Sequence, residues 1–503
     1  MANLLDRYGF AIEGRLTCWD RVVIAGVLPD LVHKDGVYSY MRHHDVQVGD
    51  LENHFKTLNL KVRAAAEEIA ARNGLQIDYI RKPNFRKDER IKAILRERGD
   101  HPGLVHIFSV VEACTAWRVR QRHSDGGEFI YSRQAKCLHY YVYFIDPDFG
   151  LCYFRVATFA PFRLQFYFNG HAWLASRLLQ AGIECKLVDN VIVEVEDWAR
   201  AQELANQLDI EALHAHLDQL AERCLPFMDR FHSSYRWSIW QVELATDTVF
   251  RSVEDLGPVY DHLVRVAASS VKADQVAYFL GRRLDDRFPG EVRTRFHTRI
   301  QGTCVKHSMG KAAIKMYDKL GRVLRIETTA SDVTFFSHRR EVEHRDGTRS
   351  VKTAKVRKSI YSLPLMATIM AAANDRYMAF ISALDDPSDG VRRLDDLANT
   401  VKKKGRGWKG FNLCATVDHK ILLALARGEW TLHGLRNRSL RTLLGITARQ
   451  ASTLLRRLRL HSIIRKAPRA YRYHLTKIGQ QVLAAALRVR TEVLVPALSA
   501  HAP

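Results

Sequence analysis

Ala313-Ile314-Lys315-Met316-Tyr317-Asp318-Lys319, a turn at Gly321, and Arg322-Val323-Leu324-Arg325-Ile326-Glu327-Thr328 alternate apolar and polar residues with a period of two. That period predicts a half-buried antiparallel hairpin. With Ile314, Met316, Leu324 and Ile326 facing the core, Lys315, Tyr317, Arg325 and Glu327 share the opposite face. A phenol beside two cations and a carboxylate is a phosphate-reactive set, because the cations bind phosphate and favour phenolate while the glutamate can hold a metal. Tyr317, Lys315 and Arg325 are therefore candidate catalytic residues. The same pattern also describes an ordinary ladder of cross-strand ion pairs.

Two further strands, Arg295–Ile300 and Cys304–His307, precede the hairpin, with Gly302 and Gly310 at turns. Upstream, Trp237–Asp247 places Glu243 and Asp247 four residues apart. Read as a helix, that spacing puts both carboxylates on one face, and with Glu327 they are the candidate metal ligands. Nearer the N-terminus, Arg21–Val27 and Leu104–Val110 are apolar enough for buried strands, and Leu51–Asn73 has helical periodicity. Cys137–Asp146 turns at Pro147–Gly150 and returns as Leu151–Thr158, followed by a third strand, Phe162–Phe168. His139, Tyr141, Tyr143, Tyr153, Arg155, Arg163 and Gln165 on these strands describe either an aromatic, basic face for unpaired bases, as on RNA-binding sheets, or a sheet buried on both sides.

The charge is local. From Val401 onward the chain holds 21 Lys/Arg against three Asp/Glu, which is +18 of the net +22. Clustered cations gain free energy by releasing counterions from a polyanion, so nucleic acid is the expected partner. Within this segment Ile421, Leu422 and Leu425 mark one helix and Leu435–Leu444 a second. Gly445-Ile446-Thr447 makes a turn with Thr447 as N-cap, and Ala448–Leu460 turns Ala451, Leu454, Leu455 and Leu458 inward. His461–Lys466 and Tyr471–Thr476 read as two strands joined at Ala467–Ala470. Residues Thr447–Thr476 resemble the recognition helix and wing of MarR-type winged helix-turn-helix regulators. The resemblance implies DNA contact by Arg449, Gln450, Thr453, Arg456 and Arg457, with Arg469 and Arg472 on the wing.

Lys315-x-Tyr317-Asp318-Lys319 followed by Leu324-Arg325-Ile326-Glu327 is similar to a strand pair of rolling-circle replication initiators, which nick DNA through a tyrosine and a divalent metal. The resemblance implies Mg or Mn as cofactor. It departs from that pattern in lacking a strand-borne His-hydrophobic-His motif, and Tyr361 and Tyr377 are alternative nucleophiles. Eight cysteines without a Cys-x-x-Cys pair suggest neither a zinc ribbon nor a disulfide framework. No apolar run reaches the roughly 18 residues of a membrane span, and a cytoplasmic protein is expected. The expected architecture is an α+β multidomain chain: a mixed sheet-and-helix body at 1–225, a helix-plus-sheet domain at 226–386, a basic linker at 387–412 and a winged helix-turn-helix at 413–503. The expected function is DNA binding through that last domain, of a regulatory, mobile-element or replication-associated kind, with metal-dependent nicking and RNA binding as alternatives.

Overall fold

The structure is a computed structural model. It describes residues 8–121, 126–284, 290–299, 302–344, 346–383, 395–403, 405–412, 415–427, 430, 434–468, 470–488, 490 and 495. The chain divides into two compact units, 1–385 and 386–503.

In the first unit β1 (Ile12–Val27) is followed by α1 (Lys34–His43), α2 (Leu51–Arg72), β2 (Asp78–Tyr79) and α3 (Lys87–Arg98). A meander of β3 (Gly103–Gln121), β4 (Glu128–Asp146), β5 (Gly150–Ala157) and β6 (Leu164–Phe168) comes next. Then α4 (Gly170–Gln180), the hairpin of β7 (Cys185–Val188) and β8 (Val191–Val195), α5 (Trp198–Ala205) and α6 (Ile210–Cys224) lead to β9 (Arg236–Phe250). Beyond it lie α7 (Val253–Ser270), α8 (Ala273–Phe279) and a second meander, β10 (Val292–Arg299), β11 (Gly302–Met309), β12 (Ala312–Lys319) and β13 (Val323–Ala330). The hairpin of β14 (Ser337–Glu343) and β15 (Arg349–Lys355), then α9 (Leu363–Ala383), complete the described elements of this unit.

Eleven strands form one mixed sheet in the order β10-β11-β12-β13-β9-β1-β6-β5-β4-β3-β2. β1 and β9 pair antiparallel at the middle. Outward from that seam both halves follow one rule: the starting strand is flanked by the last strand of its own meander, and the meander then runs backwards, to the edge at β10 in one half and to β3, with the short parallel β2 outside it, in the other. Residues on either side of position 225 thus share one sheet. The apolar face, including Val22, Ile24, Val242, Leu244, Ile314, Met316, Leu324 and Ile326, is buried beneath helices, with Met366, Met370, Tyr377 and Ile381 of α9 fully enclosed. Each such aliphatic side chain contributes about 1.5–3 kcal/mol, which fixes the register of the polar residues on the other face.

The hairpin that opened the sequence reading forms as β12–β13, with Lys315 opposite Glu327 and Tyr317 opposite Arg325. The helix expected across Trp237–Asp247 is instead the strand β9. Its Trp237, Ile239, Val242 and Leu244 keep a two-residue apolar rhythm interrupted once where the pairing shifts, and β-branched residues follow at Thr246, Thr248 and Val249. Glu243 and Asp247 still share a face, now because four is a multiple of two.

In the second unit β16 (Val401–Lys403) pairs with β17 (Arg406–Trp408). α10 (Thr416–Leu425), α11 (Asn437–Leu444), α12 (Ala448–Leu460), β18 (Ile464–Lys466), β19 (Tyr473–Leu475) and α13 (Lys477–Arg488) follow. Gly445 ends α11 in the left-handed region at φ 64°, where a Cβ is strained. Thr447 and Gln450 form a reciprocal capping box that starts α12. Ala451, Leu454, Leu455 and Leu458 turn into the core, which also takes in Leu397 and Phe411 from the segment read as a linker. Among the described residues no helix is long and apolar enough to cross a membrane.

Candidate functional site

Three strands at the seam carry the carboxylates. Asp20 sits in a register shift of β1, between Trp19 and Arg21, which re-aims its side chain. Glu243 of β9 pairs with Thr329, and Glu327 of β13 pairs with Ala245, so the two glutamates are diagonal neighbours on the polar face. Asp20, Glu243 and Glu327 each bring one oxygen to within 4.8 Å of the others. Lys315 Nζ donates to Glu327 Oε1 and, at 3.4 Å, to Glu243 Oε2. The Tyr317 hydroxyl donates to Glu327 Oε2 at 2.7 Å, and Gln241 Nε2 donates to Glu243 Oε1 at 3.0 Å.

The electrostatics separate the three acids. Burial pushes Glu327 up to about 7; Lys315 opposes this and Glu243 adds to it. Burial also works against ionisation of Glu243, but its contacts with Glu327 and Lys315 hold it below the ordinary value. Burial likewise opposes ionisation of Asp20, but His171 and Arg325 outweigh it and hold the carboxyl well below its ordinary value. Burial, and then Glu327, drive the Tyr317 phenol well above its usual range, so it remains protonated. Hard oxygen donors in this number suit Mg²⁺ or Mn²⁺, and the ammonium of Lys315 already lies across two of them as a stand-in for cationic charge.

Next to this centre Arg325 is fully enclosed. Its guanidinium donates to Asp247 Oδ1 at 2.6 Å and Oδ2 at 2.7 Å, to Asp20 Oδ1 at 2.8 Å and to the Asn190 carbonyl at 2.7 Å. His171 Nε2 lies 3.1 Å from Asp247 Oδ2. Gly170 lets the start of α4 press against β1, since a Cβ there would come within 2.2 Å of the Trp19 carbonyl oxygen. Asn169 caps that helix and also donates to the Asp20 carbonyl. Two expectations are corrected. Asp247 is engaged by Arg325 and His171 and lies outside the carboxylate cluster, and Arg325 is a buried clamp on Asp20, not a surface phosphate ligand. Comparisons with protein-family models, with curated proteins and with solved structures return no match.

Sequence reasoning missed Asp20. The signal was a lone acid, Trp19-Asp20-Arg21, at the head of an apolar strand. Of the other tyrosines, Tyr377 is sealed inside the core against His307, and Tyr361 is exposed, with its hydroxyl 2.8 Å from His214 Nδ1 and donating to Glu211 Oε2 at 2.9 Å. Neither adjoins the carboxylates. The aromatic strands β4–β6 are largely closed: Tyr141 packs with Ile91 and Phe108, and its hydroxyl and Arg155 both donate to Glu112. Polar residues in register across the second half remain more open, with Arg295 opposite Lys306 and Lys306 opposite Lys315.

In the second unit Arg449, Thr453, Arg456 and Arg472 are exposed. The Gln450 amide accepts from the Thr447 N–H at 2.8 Å and serves the helix start. Arg457, expected to face outward, turns inward. It donates to Asp418 Oδ1 at 3.1 Å, to the Lys409 carbonyl at 2.8 Å and to the Gly410 carbonyl at 2.5 Å, and its guanidinium lies 3.8 Å from the Phe411 ring centroid. Arg469 lies outside the described residues.

Proposed function

We propose that the first unit cleaves DNA phosphodiester bonds with a divalent metal held by Asp20, Glu243 and Glu327, and that the second unit holds the protein on duplex DNA as a winged helix-turn-helix. The observation that carries this reading is the meeting of three carboxylates from three neighbouring strands with the Tyr317 hydroxyl bonded to one of them. A bound Mg²⁺ or Mn²⁺ supplies Lewis-acid activation of the scissile phosphate. Arg295, Lys306 and Lys315 make a cationic row across β10–β12 that leads a phosphate backbone toward the carboxylates. Tyr317 is the nucleophile: its oxygen attacks phosphorus as its proton passes to Glu327, the P–O bond to the nucleotide breaks, and the departing oxygen takes up a proton from solvent. Glu327 is placed for that exchange, its Oε2 accepting from the Tyr317 hydroxyl at 2.7 Å. Helix α12, with exposed arginines on the side opposite its buried leucines, supports the duplex-docking half of the reading.

Labelled supercoiled plasmid and single-stranded DNA, incubated with Mg²⁺, Mn²⁺ or EDTA and resolved on a denaturing gel, test it. A metal-dependent nick with a covalent protein adduct is expected, with D20N and E327Q abolishing the nick and Y317F abolishing the adduct. Breaks without an adduct would replace Tyr317 by water. Duplex binding without breaks would overturn the cleavage reading.

A further inference from the structure

We infer that Lys403 at the end of β16, the outer side of α12 and Tyr473 of β19 together form a cleft that grips backbone phosphates of duplex DNA. This rests on the reading of the second unit as a duplex-docking module. The cleft has a volume of about 430 Å³ and is lined by Lys403, Arg456 and Arg459 with Ser452 and Tyr473. Among the described residues no carboxylate lines it. All three cations are exposed, and among the described residues none has an acidic partner. Like charges gathered without a counterion repel, and a phosphodiester relieves that repulsion while releasing counterions of its own.

The hairpin is fastened to the helix and does not dangle from it. Trp408 is buried at the end of β17, with the Arg406 guanidinium 4.8 Å and the Arg456 guanidinium 5.1 Å from its ring. The next two residues of the chain, Lys409 and Gly410, lend their carbonyls to Arg457 of α12. Gly405, at φ 72°, makes the tight turn that returns Arg406 opposite Lys403. A guanidinium lying on an indole keeps its N–H edge available, and that planar edge matches two phosphate oxygens. Ser452, already accepting from Asn437 Nδ2 at 2.9 Å, has its hydroxyl proton left for an anion. Arg449 and Thr453 are exposed on the same helix, so one DNA strand reaches the cleft and the helix surface together.

The test is anisotropy of a labelled 30-base-pair duplex of arbitrary sequence against the full chain, from 50 to 300 mM NaCl. K403A/R459A is expected to weaken binding and to lower the slope of log affinity against log salt by about 1.8, two lost phosphate contacts at roughly 0.9 each. K420A/K477A removes the same charge at exposed positions outside the cleft and is expected to leave the slope near that of the wild type. An unchanged slope in K403A/R459A, or an equal fall in the control, would overturn the cleft while leaving duplex docking intact. A wild-type chain without salt-dependent duplex binding would overturn both readings. Should the alanine pair lower the urea midpoint, K403Q/R459Q, which keeps side-chain length, decides by the same slope.

Discussion

Replacing Arg325 by methionine tests the core of the site. The guanidinium is enclosed, makes two bonds to Asp247 and one to Asp20, and has no access to solvent. Removing one partner of a buried ion pair leaves the other charge uncompensated, which typically costs about 3–5 kcal/mol. With an unfolding entropy of roughly 2.1 cal/mol/K per residue, a unit of this size would lose about 5 °C in Tm. Differential scanning calorimetry or urea unfolding reads that loss directly. The companion variant D247L/R325M removes Arg325 with one of its two carboxylates and is expected to recover part of the loss, Asp20 remaining without its guanidinium. Divalent-metal binding should remain impaired in both, because Asp20 loses the donor that holds its carboxylate in place. If R325M is as stable as the wild type and only DNA affinity falls, Arg325 is a phosphate ligand and the clamp argument fails.

A pH titration probes Glu327. Its value in the folded chain, about 7 against an ordinary 4.5, means that the native state binds an extra proton between those limits, so the metal-free first unit loses stability as pH rises from 4.5 to 7. The glutamine variant should flatten that stretch of the curve of unfolding free energy against pH, and a curve identical to wild type would show that Glu327 is ordinary. Arg457→Ala strands Asp418, itself buried, and two backbone carbonyls. It is expected to destabilise the second unit by about 2–4 kcal/mol in urea unfolding; unaltered unfolding with a lower salt slope for DNA would return Arg457 to the role the sequence implied.

The hairpin at 313–328, the aromatic hairpin at 137–158 and the inward face of α12 were legible because each has an apolar period that only one element satisfies. Sequence also placed Lys315, Tyr317 and Glu327 on one face and singled out Glu243. The 237–247 segment was misread because two acids four apart fit a helix face and a strand face equally well, and the neighbouring Trp, Ile and Val residues were the better evidence. Asp20 and the inward turn of Arg457 were hidden for a different reason. Their roles depend on partners 223 and 307 residues away for Asp20, at Glu243 and Glu327, and 39 away for Arg457, at Asp418. The local signal, a lone acid at the head of an apolar strand, marks Asp20 as unusual but does not name the two acids it will meet.

The shared strand order on either side of the β1–β9 seam divides the centre's ownership. Asp20 belongs to the amino-terminal array, whereas Glu243, Glu327, Lys315 and Tyr317 all come from the carboxy-terminal one. A chain severed between residues 225 and 235 would yield two fragments, each with an unsatisfied strand edge and neither with all three carboxylates. If the three carboxylates take a metal as proposed, cation capture would report reassembly of the fragments, which makes this seam a natural place to build a split, complementation-dependent version of the protein.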